Sequence, residues 1–325
     1  MQKVVVVTGG SAGVGRATAE MFAQRGYAVA LLAREPARLN AAASDISLRY
    51  GVPVIPISTD VAVSSQVEAA AEAAELALGP IDVWVNAAMA TVFAPVESLT
   101  AEEVQRATDV SYHGQVFGTM AALRRMRVRK TGCIVNVGSA LAHRGIPLQS
   151  LYCGAKFAVR GFTESLRSEI IHDRLHVHLT MVDLPAINTP QFDWSCNKTG
   201  YRAQPVAPVF DPEFAARSVF FAATHRRRHV FAGWPVIKVL LTNAIAPGLV
   251  DRYLASAGYS GQITGERLPA DVAHNLFKSV RGPFGARGRF EESITRRRGF
   301  LITERHRHLL YAAVAGVAFW IYRRK

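Results

Sequence analysis

The chain has 325 residues, of which 50% are hydrophobic and 19% charged. That composition excludes global disorder and leaves enough apolar surface for one large domain or two smaller ones. The net charge is +13, but 13 basic and only 5 acidic residues fall in 261–325, so one fifth of the chain carries +8 of the excess.

Short apolar runs and amphipathic stretches alternate from the start. Lys3–Val7 is a continuous apolar run closed by glycines, as a buried parallel strand should be. It is too short for the core of a secretory signal, so folded structure is expected from the N-terminus. Gly13–Gly26 reads as a helix, Tyr27–Ala33 as a strand, and Arg38–Tyr50 as a helix ended by Gly51. Val52–Ser58, Ile81–Asn86, Gly132–Gly138 and His176–Asp183 read as further strands, with a helix over Ser64–Leu78. Thr100-x-x-Glu103 has capping-box spacing and predicts a long helix to about Arg129. Another long helix is expected over Ser150–His172. Strands alternating with helices require crossover connections, hence an α/β fold with a doubly wound parallel sheet, the Rossmann arrangement.

After Leu184 the pattern weakens. Residues 185–212, rich in Pro, Asn and Gly, read as a loop or lid, and Phe192, Trp194, Tyr201 and Phe210 could line it. A helix over Pro212–Ala223 and a last strand at Val230–Ala232 complete a domain placed at 1–260. Residues 261–308 read as an extended basic arm, and 309–325 as a short apolar C-terminal helix.

Three cysteines, Cys133, Cys153 and Cys196, are spaced 20 and 43 residues apart. Such spacing excludes a disulfide framework or a Cys-x-x-Cys metal site and predicts reduced thiols in an intracellular compartment, with no metal.

Thr8-Gly9-Gly10-Ser11-Ala12-Gly13-Val14-Gly15 lies between a strand and a helix. Glycines there let the backbone approach a pyrophosphate, and the helix N-terminus offers free N–H groups and partial positive charge. An acid at the end of the second strand would favour NAD(H) by accepting from the ribose. This strand ends Leu32-Ala33-Arg34, and a guanidinium suits a 2′-phosphate, so NADP(H) is the expected cofactor; the nearby Glu35 tempers that preference. Asp60 and Asn86 fall at carboxyl ends of strands, where ligands of doubly wound sheets bind. Asp60 offers an acceptor to the adenine amino group, and Asn86 could tie neighbouring strands; either also reads as a turn residue.

Tyr152-x-x-x-Lys156 puts both side chains on one helix face. A neighbouring ammonium brings a phenol toward usable acidity, and a hydroxyl at Ser139 could polarise a carbonyl beside it.

Taken together, these residues resemble the short-chain dehydrogenase/reductase family over roughly 1–235. The likeness rests on Thr-Gly-x-x-x-Gly-x-Gly, Asp60-Val61, Asn86-Ala87-Ala88, Ser139, Tyr152-x-x-x-Lys156 and Pro185-Ala186-x-x-Thr189. It implies that Tyr152 protonates a carbonyl as hydride arrives, Lys156 holds the nicotinamide ribose and Ser139 orients the carbonyl. Gly9, Ser11, Gly13, Val14, Gly15, Arg34, Asp60, Val61 and Asn86 would bind cofactor, with Ile187 and Thr189 at the carboxamide. Three departures stand out: Met89 and Ala186 replace glycines, and Ser111 takes the place of a relay asparagine. Ser111 is then the expected, slower relay group, with His113 an alternative route.

Leu309–Tyr322 is uncharged and flanked by basic residues. As a helix it spans about 21 Å against a hydrocarbon core of about 30 Å. It is expected to contact membrane lipid, either spanning or lying in the interface, with the catalytic domain cytoplasmic; the other reading is packing on its own domain or a dimer partner. The substrate implied is a lipophilic ketone, aldehyde or alcohol. No nucleic-acid recognition motif accompanies the basic arm, so no nucleic-acid partner is expected; a homo-oligomer is a family-level expectation. The competing function is a non-catalytic dinucleotide-binding scaffold or sensor at a membrane.

Overall fold

A computed structural model describes residues 2–269, 272–295 and 299–303. The elements in chain order are β1 Val4–Thr8, α1 Gly13–Gln24, β2 Ala28–Ala33, α2 Pro36–Tyr50, β3 Val54–Ser58, α3 Ser64–Leu78 and β4 Ile81–Asn86. Then come β5 Val92–Phe93, α4 Ala101–Thr108, α5 Gly114–Arg129, β6 Thr131–Ser139, α6 Ser150–His172 and β7 His176–Leu184. The C-terminal part holds α7 Gln191–Trp194, β8 Cys196–Asn197, β9 Tyr201–Ala203, α8 Pro212–Thr224, β10 His229–Ala232, α9 Trp234–Ile245, α10 Pro247–Ala257, β11 Ile263–Arg267 and β12 Leu301–Thr303.

Eight strands form one sheet in the order β12-β10-β7-β6-β4-β1-β2-β3. All neighbours pair parallel except β12, which adds antiparallel to β10. The run Val4–Val7 shows why the first strand sits inside the sheet, between β4 and β2. Successive side chains point to opposite faces, so Val5 and Val7 join Phe22 of α1 and Val219 of α8, while Val4 and Val6 join Ala70 of α3 and Met126 of α5. A strand buried on both faces reads as a continuous apolar run, as Val4–Val7 does, with Thr8 the one polar residue at its carboxyl end.

The predicted 101–129 helix is interrupted. Its capping box is present, with Thr100 Oγ1 accepting from Glu103 N and Glu103 accepting from Thr100 N. A single wide turn over Asp109–His113 then separates α4 from α5. Within it Ser111 Oγ accepts from Ala90 N at 2.9 Å and donates to Ala90 O at 2.6 Å, so the side chain serves the loop after β4. Wide turns of this kind gather at functional sites.

The segment 185–212 carries more structure than a plain loop, because β8 pairs with β5 and β9 with β11. Residues 233–257, given no element in the sequence reading, form α9 and α10. The described residues of the basic arm, as far as 303, contact the rest of the chain through β11, β12 and the described residues 275–295. The apolar run Leu309–Tyr322 lies outside the described residues. No helix among the described residues is long and apolar enough to cross a membrane.

Candidate active site

The carboxyl ends of β1, β2, β4, β6 and β7 open into a cavity of about 1040 Å³. That is at the top of the usual range of about 300–1,000 Å³ for small-molecule sites, as an elongated cofactor plus a substrate would need. The glycine loop forms its floor. Gly9 has φ +70° and a Cβ there would sit 3.0 Å from Ala88 Cα; one on Gly15 would sit 2.3 Å from Gly9 O. Glycine at both positions lets loop, helix start and β4 loop close up, leaving a cradle lined by backbone.

Ser139, Tyr152 and Lys156 converge on this cavity. Ser139 ends β6, and its Oγ accepts from Leu141 N at 3.1 Å, capping the short turn Ala140–Ala142. Tyr152 and Lys156 lie one turn apart near the start of α6, with Lys156 Nζ 5.5 Å from the Tyr152 ring centroid. Lys156 is 3% exposed and donates to Val137 O at 2.7 Å. Burial pulls its ammonium down to about 8, with the Asp183 carboxylate pulling the other way. Burial pushes the Tyr152 phenol up to about 12, against a hydrogen bond with Ser139. At neutrality Tyr152 is therefore a protonated phenol beside an ammonium that is mostly charged.

Behind this group lies a buried carboxylate. Asp183 Oδ2 accepts from His143 Nε2 at 2.5 Å and from His229 Nε2 at 2.7 Å. Burial raises the Asp183 carboxyl, but His229 and His143 outweigh it and hold it down at about 2. Gly138 makes room for it, since a Cβ there would overlap Asp183 Oδ1. The donor atoms lie within 4.8 Å of one another, a spacing a metal could use. Arg160 Nη1, however, lies 2.7 Å from His143 Nδ1. A guanidinium only donates, so that ring carries its proton on Nε2 and spends it on Asp183. The cluster works as a hydrogen-bonded pin from β7 to the turn carrying Ser139.

Of the sequence-predicted residues, Gly9, Ser11, Gly13, Val14, Gly15, Arg34, Asp60, Val61, Ile187 and Thr189 line the cavity with Ser139, Tyr152 and Lys156. Asn86 and Ser111 do not. Asn86 is fully buried; its Nδ2 donates to Gln115 O, Thr119 Oγ1 and Asn136 Oδ1, and its Oδ1 accepts from Trp84 Nε1. It ties β4 to β6 and α5. Ser111 is committed to Ala90, as described above, and His113 pairs with Asp109 at 2.8 Å outside the cavity. The aromatics of 185–212 divide: Phe192 and Trp194 face the cavity, whereas Phe210 packs on Phe214 and Tyr201 points outward.

Two contributions were missed from sequence. The α9–α10 pair supplies an apolar wall, including Trp234, Leu241, Ile245, Leu249 and Tyr253. Its signal was present: Pro235 and Pro247 each stand in the first turn of their helix, where proline is tolerated. The second is the stretch from Asn275 onward, which crosses the end of the cavity beside β2. Asn275 and Ser279 line the cavity there, and Arg34 donates to the carbonyls of Asn275, Leu276 and Phe277. No local pattern marks that contact, because it joins residues more than 240 apart.

Residues 3–197 match the short chain dehydrogenase family. An uncharacterised oxidoreductase of Bacillus subtilis (strain 168), YxnA, is 32% identical over 266 residues, covering 80% of this chain and 73% of its own. A 3-ketodihydrosphingosine reductase of Bos taurus is 33% identical over 192 residues, 58% of this chain and 57% of its own. Among solved structures, L-sorbose reductase from Gluconobacter frateurii, complexed with NADPH and L-sorbose, superposes with TM-score 0.59 at 26% identity, covering 69% of this chain and 90% of that one. An alcohol dehydrogenase from Thermococcus sibiricus, complexed with 5-hydroxy-NADP, gives TM-score 0.58 at 28% identity over 67% of this chain and 89% of that one.

Proposed function

The chain belongs to the short-chain dehydrogenase family of oxidoreductases, and from that premise we propose an NADP(H)-dependent reductase or dehydrogenase acting on a lipophilic carbonyl or alcohol. The observation that carries this reading is the convergence of Tyr152, Lys156 and Ser139 on one cavity whose other end is a glycine cradle.

The residues present fit a nicotinamide dinucleotide. The cradle leaves no room for side chains where a pyrophosphate would lie, and the buried Lys156 ammonium sits at the inner end. Preference for the 2′-phosphate rests on the end of β2. Ala33 offers no acceptor, while Arg34 and Arg38 both line the cavity. Glu35, the nearest acid, is spent on the helix: it caps α2 by accepting from Ala37 N and Arg38 N. Titrating the arginines with a dianionic phosphate is a charge-assisted, bidentate interaction that a ribose hydroxyl cannot match.

When bound, the dinucleotide supplies or accepts the hydride. The chain's own groups handle the oxygen. Tyr152 donates its proton to the carbonyl oxygen, and Ser139 donates a hydrogen bond that holds that oxygen against Tyr152. Lys156 favours the phenolate left behind and so lowers the cost of proton release. With Ser111 committed to Ala90, reprotonation of Tyr152 runs more slowly than through an amide-held water, or by another route.

Lipophilic substrates are favoured by the α9–α10 wall. Trp234, Ile245, Leu249 and Tyr253 line the cavity yet stay 52%, 70%, 64% and 66% exposed, so the mouth itself is apolar. The related 3-ketodihydrosphingosine reductase is consistent with a long-chain ketone. Contact of 309–322 with membrane lipid would bring such substrates to this mouth.

The test is NADPH consumption by the full chain against 3-keto substrates of increasing chain length. The reading predicts kcat/KM rising with length. Saturable NADPH binding with no turnover on any carbonyl or alcohol would favour the scaffold reading instead.

A further inference from the structure

The adenosine end of the cavity is closed by a strap, residues 275–288. Asn275 N donates to Trp194 O at 2.8 Å, Gly13 N to Gly285 O at 3.1 Å, and Gly288 N to Asn188 O at 3.3 Å. The strap therefore touches both walls of the cleft and takes one amide of the glycine loop. Phe284 packs on Trp194 with centroids 4.6 Å apart, and the Arg38 guanidinium lies 4.9 Å from the Trp194 ring and 5.8 Å from Phe284.

Its carbonyl oxygens converge on three arginines. Arg34 Nη1 donates to Leu276 O and Phe277 O, each at 3.3 Å, and Nη2 to Asn275 O. Arg38 Nη1 donates to Val280 O at 2.9 Å, and Arg106 Nε to Leu276 O at 3.1 Å. Arg106 also holds Asp60, at 2.6 Å. A guanidinium reads phosphate through paired N–H groups on one edge. Both terminal nitrogens of Arg34 already face carbonyl oxygens, whose negative ends point where a phosphate oxygen would have to go. A ribose hydroxyl makes no such demand on Arg34.

We propose that residues 275–280 determine cofactor selectivity by competing, through their carbonyl oxygens, with a 2′-phosphate for Arg34 and Arg38. The proposal rests on the dinucleotide reading above and adds the segment that sets the choice. Entry of a 2′-phosphate lifts this part of the strap; a cofactor without it leaves the strap in place. The strap is suited to lifting, because Leu276 is its sole buried residue among 275–288. Residues 275–280 are otherwise held through backbone hydrogen bonds, chiefly of their carbonyls, and the strap's far end is held by the ring contact of Phe284 and by Arg287, which pairs with Glu213 at 2.8 Å.

The exposed Lys278 and Arg281 make the movement readable by trypsin. Full-length protein would be digested with saturating adenosine 2′,5′-bisphosphate or with 5′-AMP, and cleavage after Lys278 and Arg281 followed by mass spectrometry. Cleavage tracks the open population when opening is fast, so the bisphosphate should accelerate it about fivefold and 5′-AMP leave it within twofold. In a variant, Leu276→Ser loosens the anchor; the dissociation constant for the bisphosphate should fall about tenfold while that for 5′-AMP stays within twofold. Protection by the bisphosphate, or equal rates with both nucleotides once both are shown to bind, would overturn the strap proposal alone. Saturable binding of neither nucleotide would overturn the dinucleotide reading and the strap proposal with it.

Discussion

At the end of the cleft proposed to be catalytic, the groups assigned to the chemistry are tied to the sheet that carries them. Lys156 is bonded to Val137 O of β6, Ser139 caps the turn that follows β6, and that turn is pinned by His143 to Asp183 of β7. At the end proposed to take the adenosine, Arg34 and Arg38 are tied instead to carbonyls of a strap more than 240 residues downstream. The contrast teaches a division of labour. Proton transfer needs positions held to a fraction of an ångström, which buried hydrogen bonds on strands provide. Recognition of a cofactor phosphate needs a site that can open, which a strap with one buried anchor provides.

The largest expected effect belongs to the catalytic end. Tyr152→Phe removes the proton donor and little else, so kcat should fall about 10²–10⁴-fold; steady-state turnover at saturating NADPH checks it, and near-normal kcat would remove Tyr152 from the reaction. Asp183→Asn tests the pin. It leaves two buried histidines without their shared carboxylate and should cost about 3 kcal/mol of stability, read by denaturant unfolding. A change below 1 kcal/mol would show that the cluster does not hold the turn.

Smaller still is the effect of pH. Lys156 sits at about 8, below its ordinary value of 10.5, so its ammonium is present below about pH 8 and lost above. Reductive kcat/KM should decline as pH rises through 8. Stability should move the other way. Between 8 and 10.5 the unfolded chain binds the proton that the folded chain releases, so folding gains from rising pH in that window. A flat kcat/KM profile from pH 7 to 9 would detach Lys156 from the chemistry.

How much of this was legible in the sequence follows the same division. Helices Ser64–Leu78 and Ser150–His172 and strand Ile81–Asn86 have the bounds the pattern predicts, because each is a long periodic segment or a short, mostly apolar run, and Gly79 stops the first helix just ahead of the strand. The glycine loop and Tyr152-x-x-x-Lys156 are short-range motifs whose spacing is itself the geometry. The wide turn at 109–113 was hidden, since it depends on Ser111 finding Ala90 across a loop. The strap was hidden for a stronger reason. Its anchor is one leucine in a Gly- and Arg-rich stretch with no period, and its contacts are backbone carbonyls, which leave no trace in residue type. Arg34 could be picked out as a candidate phosphate reader; that another part of the chain already holds it could not.

The most direct measurement pairs the two ends: NADPH dissociation constants and saturated turnover for Tyr152→Phe and Arg34→Ala side by side. The account predicts a clean separation. Tyr152→Phe should lose turnover with its dissociation constant within twofold of the parent. Arg34→Ala should keep kcat while its NADPH dissociation constant rises about tenfold and that for NADH hardly moves. Loss of turnover in both variants at saturating cofactor, or equal weakening of NADPH and NADH by Arg34→Ala, would contradict it.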